Sequence, residues 1–193
     1  MFVGEHRSTE FMKINPLGKV PALIDENFNV YDSHAIAIYL VEKFAKDSSL
    51  YPKDLQQRTL VNQHLFFDAS CLFQRLFEIL IPLYYGQYKE IPEAKIAETH
   101  VAYNVIEGFF ENGNSYVVGD ILTIADISIW TTLGSFRLLV PIEELKYPKL
   151  SAWLSLMGTR KTAEINETGA QEHFTFIKRC VDGQPIPTPG KEI

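Results

Sequence analysis

Two short stretches carry the residue types that could do chemistry. In the first, Asn15-Pro16-Leu17-Gly18-Lys19 leads into Val20-Pro21 and the apolar run Ala22-Leu23-Ile24. In the second, Asp32 and Ser33 stand just before Ile36, Tyr39, Leu40 and Phe44, which recur at helical spacing. An acid beside the free N–H groups of a helix start offers an acceptor for an ammonium and a seat for a carboxylate, which suits the α-amino acid end of a ligand. A Val-Pro dipeptide entering a strand can offer backbone groups to an extended peptide. Together they suit a small zwitterionic peptide. Asp-Ser before a helix is equally an ordinary cap, and only the full constellation turns the reading towards a ligand.

The elements that must position these residues follow from period and punctuation. Residues 8–14 read as one helical turn, and Val20–Ile24 and Asn29–Asp32 as short strands flanking Asp25-Glu26-Asn27, a turn-forming cluster. From Ser33 the period becomes helical and runs to about Ala45, before the polar linker Lys46-Asp47-Ser48-Ser49. After Tyr51-Pro52 nearly everything is helical. Val61, Leu65, Ala69, Leu72, Phe73, Leu76 and Leu80 form one long apolar stripe that should end near Pro82 and Gly86. Residues 92–111 give a second helix with Ile96, Val101, Val105, Ile106 and Phe109 inward. Thr123 and Asp126 make a capping-box start for a third, and Trp153 falls on a short helix at 149–158. The tail from Gly183 to Ile193 is expected to be extended. The sum is an α/β piece over residues 1–46 joined to an all-helical domain over 47–193. Only fourteen residues precede Asn15, too few for the rest of an ordinary α/β domain, so the α/β piece reads as incomplete.

Composition removes several function classes. Eighteen basic against twenty-four acidic side chains leave a net charge of −6 with no basic cluster, which speaks against nucleic acid and against an anionic membrane surface. Hydrophobic residues at 46% and charged residues at 22% are those of an ordinary globular protein long enough to bury a core. Cys71 and Cys180 form neither a disulfide framework nor a metal-ligand spacing, so no metal is expected and a reducing, cytoplasmic setting is. No apolar run approaches a membrane span, and the first residues carry no apolar signal region. The sequon Asn166-Glu167-Thr168 would then go unused.

The order Asn15-Pro16, Val20-Pro21, Asp32-Ser33, the Thr123–Asp126 box and the helical second half together resemble a cytosolic glutathione transferase. Gly4-Glu5-His6, Asp32-Ser33-His34-Ala35-Ile36, Leu50-Tyr51-Pro52-Lys53-Asp54 and the segment Leu122 to Asp126 are similar to the insect delta and epsilon classes, epsilon more closely. The resemblance covers residues 1 to about 180. It implies a thioredoxin-like N-terminal domain, here incomplete, followed by a helical C-terminal domain, with glutathione as co-substrate and a homodimer as the assembly. It also implies a cis Pro21 that exposes Val20 to the cysteinyl part of glutathione, with Asp32, Ser33 and the adjoining His34 at the γ-glutamyl end. His6 and Lys19 would meet the glycyl carboxylate.

The match also has gaps. The serine that activates the thiol in these classes is absent from the 193 residues, so no catalytic residue is assigned and the chain by itself is expected to conjugate little or nothing. Cys71 reads as core, and Tyr31 and Tyr39 as packing residues. A histidine usual in the epsilon class two positions before Val-Pro is replaced by Gly18, and a cation usual on the long helix by Phe77. Phe73, Leu76, Phe77 and Leu80 are the candidates for an apolar electrophile pocket, about two of the four being expected to line it, with Tyr84, Tyr85 and Phe136 at its rim. The implied function is conjugation of glutathione to hydrophobic electrophiles, of detoxification type. The alternatives are a non-catalytic binder of hydrophobic ligands and an interaction module; the insect-class details beyond Asp32 argue against the module.

Overall fold

The structure, a computed structural model, describes residues 4–183. Past Gly183, the stretch expected to be extended lies outside the described residues. The first element among the described residues is a 3-10 turn over Glu5–Arg7, which carries His6. Helix α1 (Thr9–Ile14) follows, its N-terminus capped by Ser8, whose hydroxyl accepts from the Phe11 N–H at 3.2 Å.

Strands β1 (Ala22–Asp25) and β2 (Phe28–Tyr31) form a two-stranded antiparallel sheet, with Ala22 opposite Tyr31 and Asp25 opposite Phe28. The strands are shorter than the sequence suggests at both site ends. Pro21 has no N–H to offer a ladder, and Asp32 turns away at φ 77° to start α2 (Ser33–Phe44).

Helix α2 buries a different face from the one expected. Ala37, Ile38 and Val41 pack against the helical core, while Leu40 and Phe44 stay exposed. Tyr31 is also exposed, and Tyr39 is held from the side by the Phe28 ring and by an O–H donated to Asp25 at 2.5 Å. Lys43 bonds the same carboxylate, and its ammonium is the chief reason Asp25 titrates below the usual carboxylate range.

The helical domain begins with α3 (Leu55–Phe67), capped by Asp54. The long apolar stripe is not one regular helix. A π-helical turn over Asp68–Leu72 separates α3 from α4 (Phe73–Tyr84). Pro82 sits inside α4 three residues before its cap Tyr85 and takes one N–H out of the helix ladder, and Gly86 at φ 66° turns the chain out two residues after Tyr84. The π turn also takes Cys71 out of the core: the residue is half-buried, and its Sγ accepts from Arg75 Nη1 at 2.8 Å.

Then come α5 (Glu93–Gly108), α6 (Ile124–Leu139), α7 (Pro148–Gly158) and α8 (Ala163–Val181). The inward face of α5 is Thr99, Ala102, Tyr103 and Ile106, and Val101 and Val105 point to solvent, the reverse of the expectation for those two valines. The core joins Val61, Leu65, Leu76, Ile79, Tyr103, Ile106, Leu133, Phe136 and Trp153. At the start of α6 the capping box is present, Thr123 and Asp126 exchanging side-chain bonds with each other's backbone. Asp126 is fully buried and accepts from the Val117 and Thr123 N–H groups and from the Trp153 indole, so one carboxylate ties a loop, a helix start and α7 together.

Candidate functional site

The loop before β1 is shaped by Asn15, which is buried although polar. Its side-chain N–H donates to the Lys19 carbonyl at 2.6 Å, and its oxygen accepts from the Leu17 N–H at 3.0 Å. An Asx turn of this kind fixes a loop without regular structure. It leads into Val20-Pro21, whose peptide bond is cis. Val20 is exposed, and neither its N–H nor its C=O has a partner among the described residues. Run one step beyond its last pair, the sheet register sets Pro21 opposite Asp32. The free backbone of Val20 and the start of α2 therefore lie at the same end of the sheet.

At the start of α2 the carboxylate of Asp32 accepts from the His34 and Ala35 N–H groups at 2.9 and 3.2 Å. Those bonds hold Asp32 at a φ that side chains rarely adopt, a conformation that costs on the order of 1–3 kcal/mol elsewhere. The N–H and hydroxyl of Ser33 have no partner among the described residues, which leaves two donors at the positive end of the helix. The arrangement can hold a carboxylate on Ser33 and an ammonium on the outer face of Asp32.

His34 connects this corner to the helical domain. Its Nδ1 lies 3.3 Å from Asp32 Oδ1 and its Nε2 lies 3.2 Å from Asp68 Oδ2. Both ring nitrogens face carboxylates, so the protonated ring, with two N–H groups, satisfies both. The bond to Asp68 raises the His34 pKa above 6.5 against the opposing effect of burial. Asp68, on the π turn, is buried; it also accepts from the Ser128 hydroxyl, and its Oδ1 has no partner among the described residues.

The remaining predicted residues separate. His6 lies on the 3-10 turn with an Nδ1 that is shut off from solvent and has no partner among the described residues. Lys19 turns its ammonium to the Phe77 ring, 5.9 Å from the centroid, and so reaches the helical domain. Phe73 and Phe77 are 47% and 40% exposed and stack with centroids 6.1 Å apart, a ready apolar surface facing Lys19. Leu76 and Leu80 are 3% and 5% exposed and belong to the core, because the inward arc of α4 is one helical step away from the two phenylalanines. Phe136 is also core, wedged edge-on against Tyr103 at 5.9 Å, and cannot serve as a rim. Tyr84 bonds His173, with burial pushing its phenol up to about 12, whereas Tyr85 is exposed. A groove of about 560 Å³ runs along α8 beside Glu167, Gln171, Thr175 and Arg179 and includes none of the predicted site residues.

Sequence reasoning passed over Asn15, Asp68 and Ser128 as site residues. Asn15 heads the first of the two stretches singled out above, and its Asn-Pro-x-Gly pattern is a turn signal that points to the loop-fixing role it has. Asp68 interrupts an apolar helical face between Leu65 and Leu72, and a lone acid on a buried face asks for a partner. Nothing in the local pattern points to Ser128. Among the described residues, no group of three or more His, Cys, Asp or Glu is placed to hold a metal ion, and no helix is long and apolar enough to cross a membrane.

Comparison with known proteins gives consistent matches. The family model for the glutathione S-transferase N-terminal domain matches residues 2–42, and that for the C-terminal domain matches residues 58–160. Glutathione S-transferase 1 of Manduca sexta is 42% identical over 153 residues, which cover 78% of this chain and 69% of that protein. The structure of an epsilon-class glutathione S-transferase from the housefly, Musca domestica, superposes with a TM-score of 0.87 at 40% identity, covering 94% of this chain and 83% of that one. A glutathione transferase homolog from Drosophila mojavensis, solved with bound glutathione, gives 0.85 at 38% identity over 94% and 81% of the two chains.

Proposed function

The chain belongs to the glutathione S-transferase family, and on that premise we propose that it binds glutathione along Val20-Pro21 and the start of α2 for conjugation to hydrophobic electrophiles. Its architecture is that of the family, a thioredoxin-like unit with a small two-stranded sheet and a helical domain. We divide the two at residues 1–46 and 47–193. The observation that carries the reading is the backbone of Val20, unpaired among the described residues, at the same end of the sheet as the open donors of Ser33.

In this reading the cysteinyl backbone of glutathione pairs with Val20 as an added strand. The γ-glutamyl carboxylate sits on the Ser33 N–H and hydroxyl, and its ammonium meets Asp32. The sulfur then points towards the cleft between the domains, where Phe73 and Phe77 offer an apolar face to the acceptor. In the reaction the sulfur forms a bond to an electrophilic carbon, a leaving group or an electron pair departs from that carbon, and the thiol proton is released. The residues named here contribute proximity and orientation rather than the thiol's activation. For the 193-residue chain itself we therefore expect binding with slow conjugation. A cytoplasmic homodimer with a detoxifying role is the corresponding setting.

The test is calorimetric titration with glutathione of the chain and of Ser33→Ala and Asp32→Ala. Saturable binding weakened about tenfold by either change supports the reading, since each removes a charge-assisted contact. An unchanged affinity in both variants would sink it. Rapid turnover of an aryl halide by the same chain would overturn the expectation of slow conjugation and leave the binding site in place.

A further inference from the structure

Gly18 lies in the loop held by Asn15, just ahead of the Val20-Pro21 peptide, at φ 57°. A Cβ there would meet Arg7 Nη1, the His6 carbonyl oxygen and Met12 Sδ, each at 3.0 Å. The room that a side chain on residue 18 would need is thus already taken, and on one side a guanidinium takes it. Arg7 spends little of its donor capacity: Nη1 makes one long bond to the Leu17 carbonyl at 3.4 Å, and the group has no other partner among the described residues. A guanidinium carries five N–H donors in a planar fork that fits a carboxylate. The preceding residue, His6, carries an imidazole whose buried Nδ1 has no partner among the described residues. Lys19, the other cation of this loop, is engaged on Phe77 instead.

We propose that Arg7 binds the glycyl carboxylate of glutathione from the space that a side chain at residue 18 would fill, and so sets the preference for the full, charged tripeptide. The inference rests on the glutathione reading above. A peptide paired with Val20 and anchored by its γ-glutamyl end at Asp32–Ser33 runs its other end away from α2, towards the loop that Arg7 flanks. Glycine at 18 serves twice, accepting a positive φ and leaving the volume open to the guanidinium. Arg7, in place of Lys19, becomes the cation at that end.

The experiment compares glutathione with its glycyl monoethyl ester, which has the same chain without the terminal charge, by calorimetry on the wild-type chain, Arg7→Gln, Arg7→Lys and Gly18→Ala. Wild type is expected to favour glutathione over the ester by about tenfold or more, the scale of one charged hydrogen-bonded contact. Arg7→Gln should lower glutathione affinity to the level of the ester and leave the ester unchanged. Arg7→Lys should recover part of the difference, and Gly18→Ala should lose it by displacing the guanidinium. Arg7 is exposed, so its variants should melt with the wild type, which separates a lost contact from a lost fold. If Arg7→Gln weakens both ligands equally, or neither, the proposal is overturned while glutathione binding stands. If the wild-type chain binds neither ligand, the glutathione reading fails and this proposal fails with it.

Discussion

Replacing Asp68 by asparagine should lower the pKa of His34 and loosen the joint between the two domains in a pH-dependent way. The substitution keeps the shape of the side chain and removes its charge. In the native chain the Asp68 side chain is 2% exposed and that of His34 17%, so solvent screens their 3.2 Å contact only weakly. The bond to Asp68 is the largest influence raising the His34 pKa, and burial is the largest one lowering it. With the charge gone, burial remains, and the ring should titrate at lower pH than in the wild type. The sign for stability follows from linkage. A histidine whose folded pKa lies above 6.5 adds stability in full below that pH and loses it as the pH rises through the folded value. A charge-assisted hydrogen bond of this kind contributes about 1.5–3 kcal/mol and a neutral one about 1 kcal/mol, so Asp68→Asn should cost about 1–2 kcal/mol at about pH 6 and clearly less at about pH 9. NMR titration of the histidine Cε1–H signals gives the pKa, and urea unfolding at the two pH values gives the cost. The same His34 titration in both proteins, or an equal cost at both pH values, would refute the coupling.

Asp126→Ala should be among the most damaging single changes, because it strips the acceptor from the Val117 and Thr123 N–H groups, the Thr123 hydroxyl and the Trp153 indole at a fully buried position. A loss of about 3–5 kcal/mol is expected in urea unfolding, and a loss under 1 kcal/mol would contradict it (roughly the cost of one solvent-exposed bond). His64 is buried against Phe109 at 4.0 Å with an Nδ1 that is unpaired among the described residues, and burial pulls its pKa down to about 4. Its neutral form suits the fold, so stability is fully present above 6.5 and is lost as the pH falls from there towards 4; His64→Phe should remove on the order of 2 kcal/mol of that acid sensitivity, read as a flatter melting temperature between those pH values. Phe77→Ala removes half of the stacked pair facing Lys19 and should weaken binding of an apolar fluorescent probe about fivefold, the scale of half-burying one aromatic ring. Unchanged probe affinity would place the acceptor surface elsewhere.

Much of this molecule is legible along the chain where the informative feature is local. A change from strand to helical period at Ser33, a turn cluster at Asp25-Glu26-Asn27 and a Thr–Asp pair at 123 and 126 each report on neighbouring backbone, and each stands at an element boundary in the structure. The helix α8 was not singled out, because only Ala170, Ile177 and Cys180 of its nineteen residues are buried, and its polar surface hides the period. Along α5, two valines at plausible spacing face solvent while Thr99 faces the core. Apolar residues recur on both sides of such a helix, and the rotation is chosen by what packs against it.

The sequence by itself determined the family, the order of a small α/β unit before a helical one, and the placing of Val20-Pro21 ahead of the first strand and of Asp32-Ser33 at the start of a helix. Those depend on residues close together in the chain, whose backbone preferences act before any tertiary contact forms. Only the tertiary structure decided that His34 answers to Asp68 across the domain joint, that Lys19 reaches Phe77, that Arg7 fills the room beside Gly18, and that Leu76 and Leu80 face inward while Phe73 and Phe77 do not. Each of these turns on the direction of a side chain relative to a residue on another element. Periodicity specifies which element forms, but close packing of the assembled elements sets how each one is rotated and which distant atoms meet.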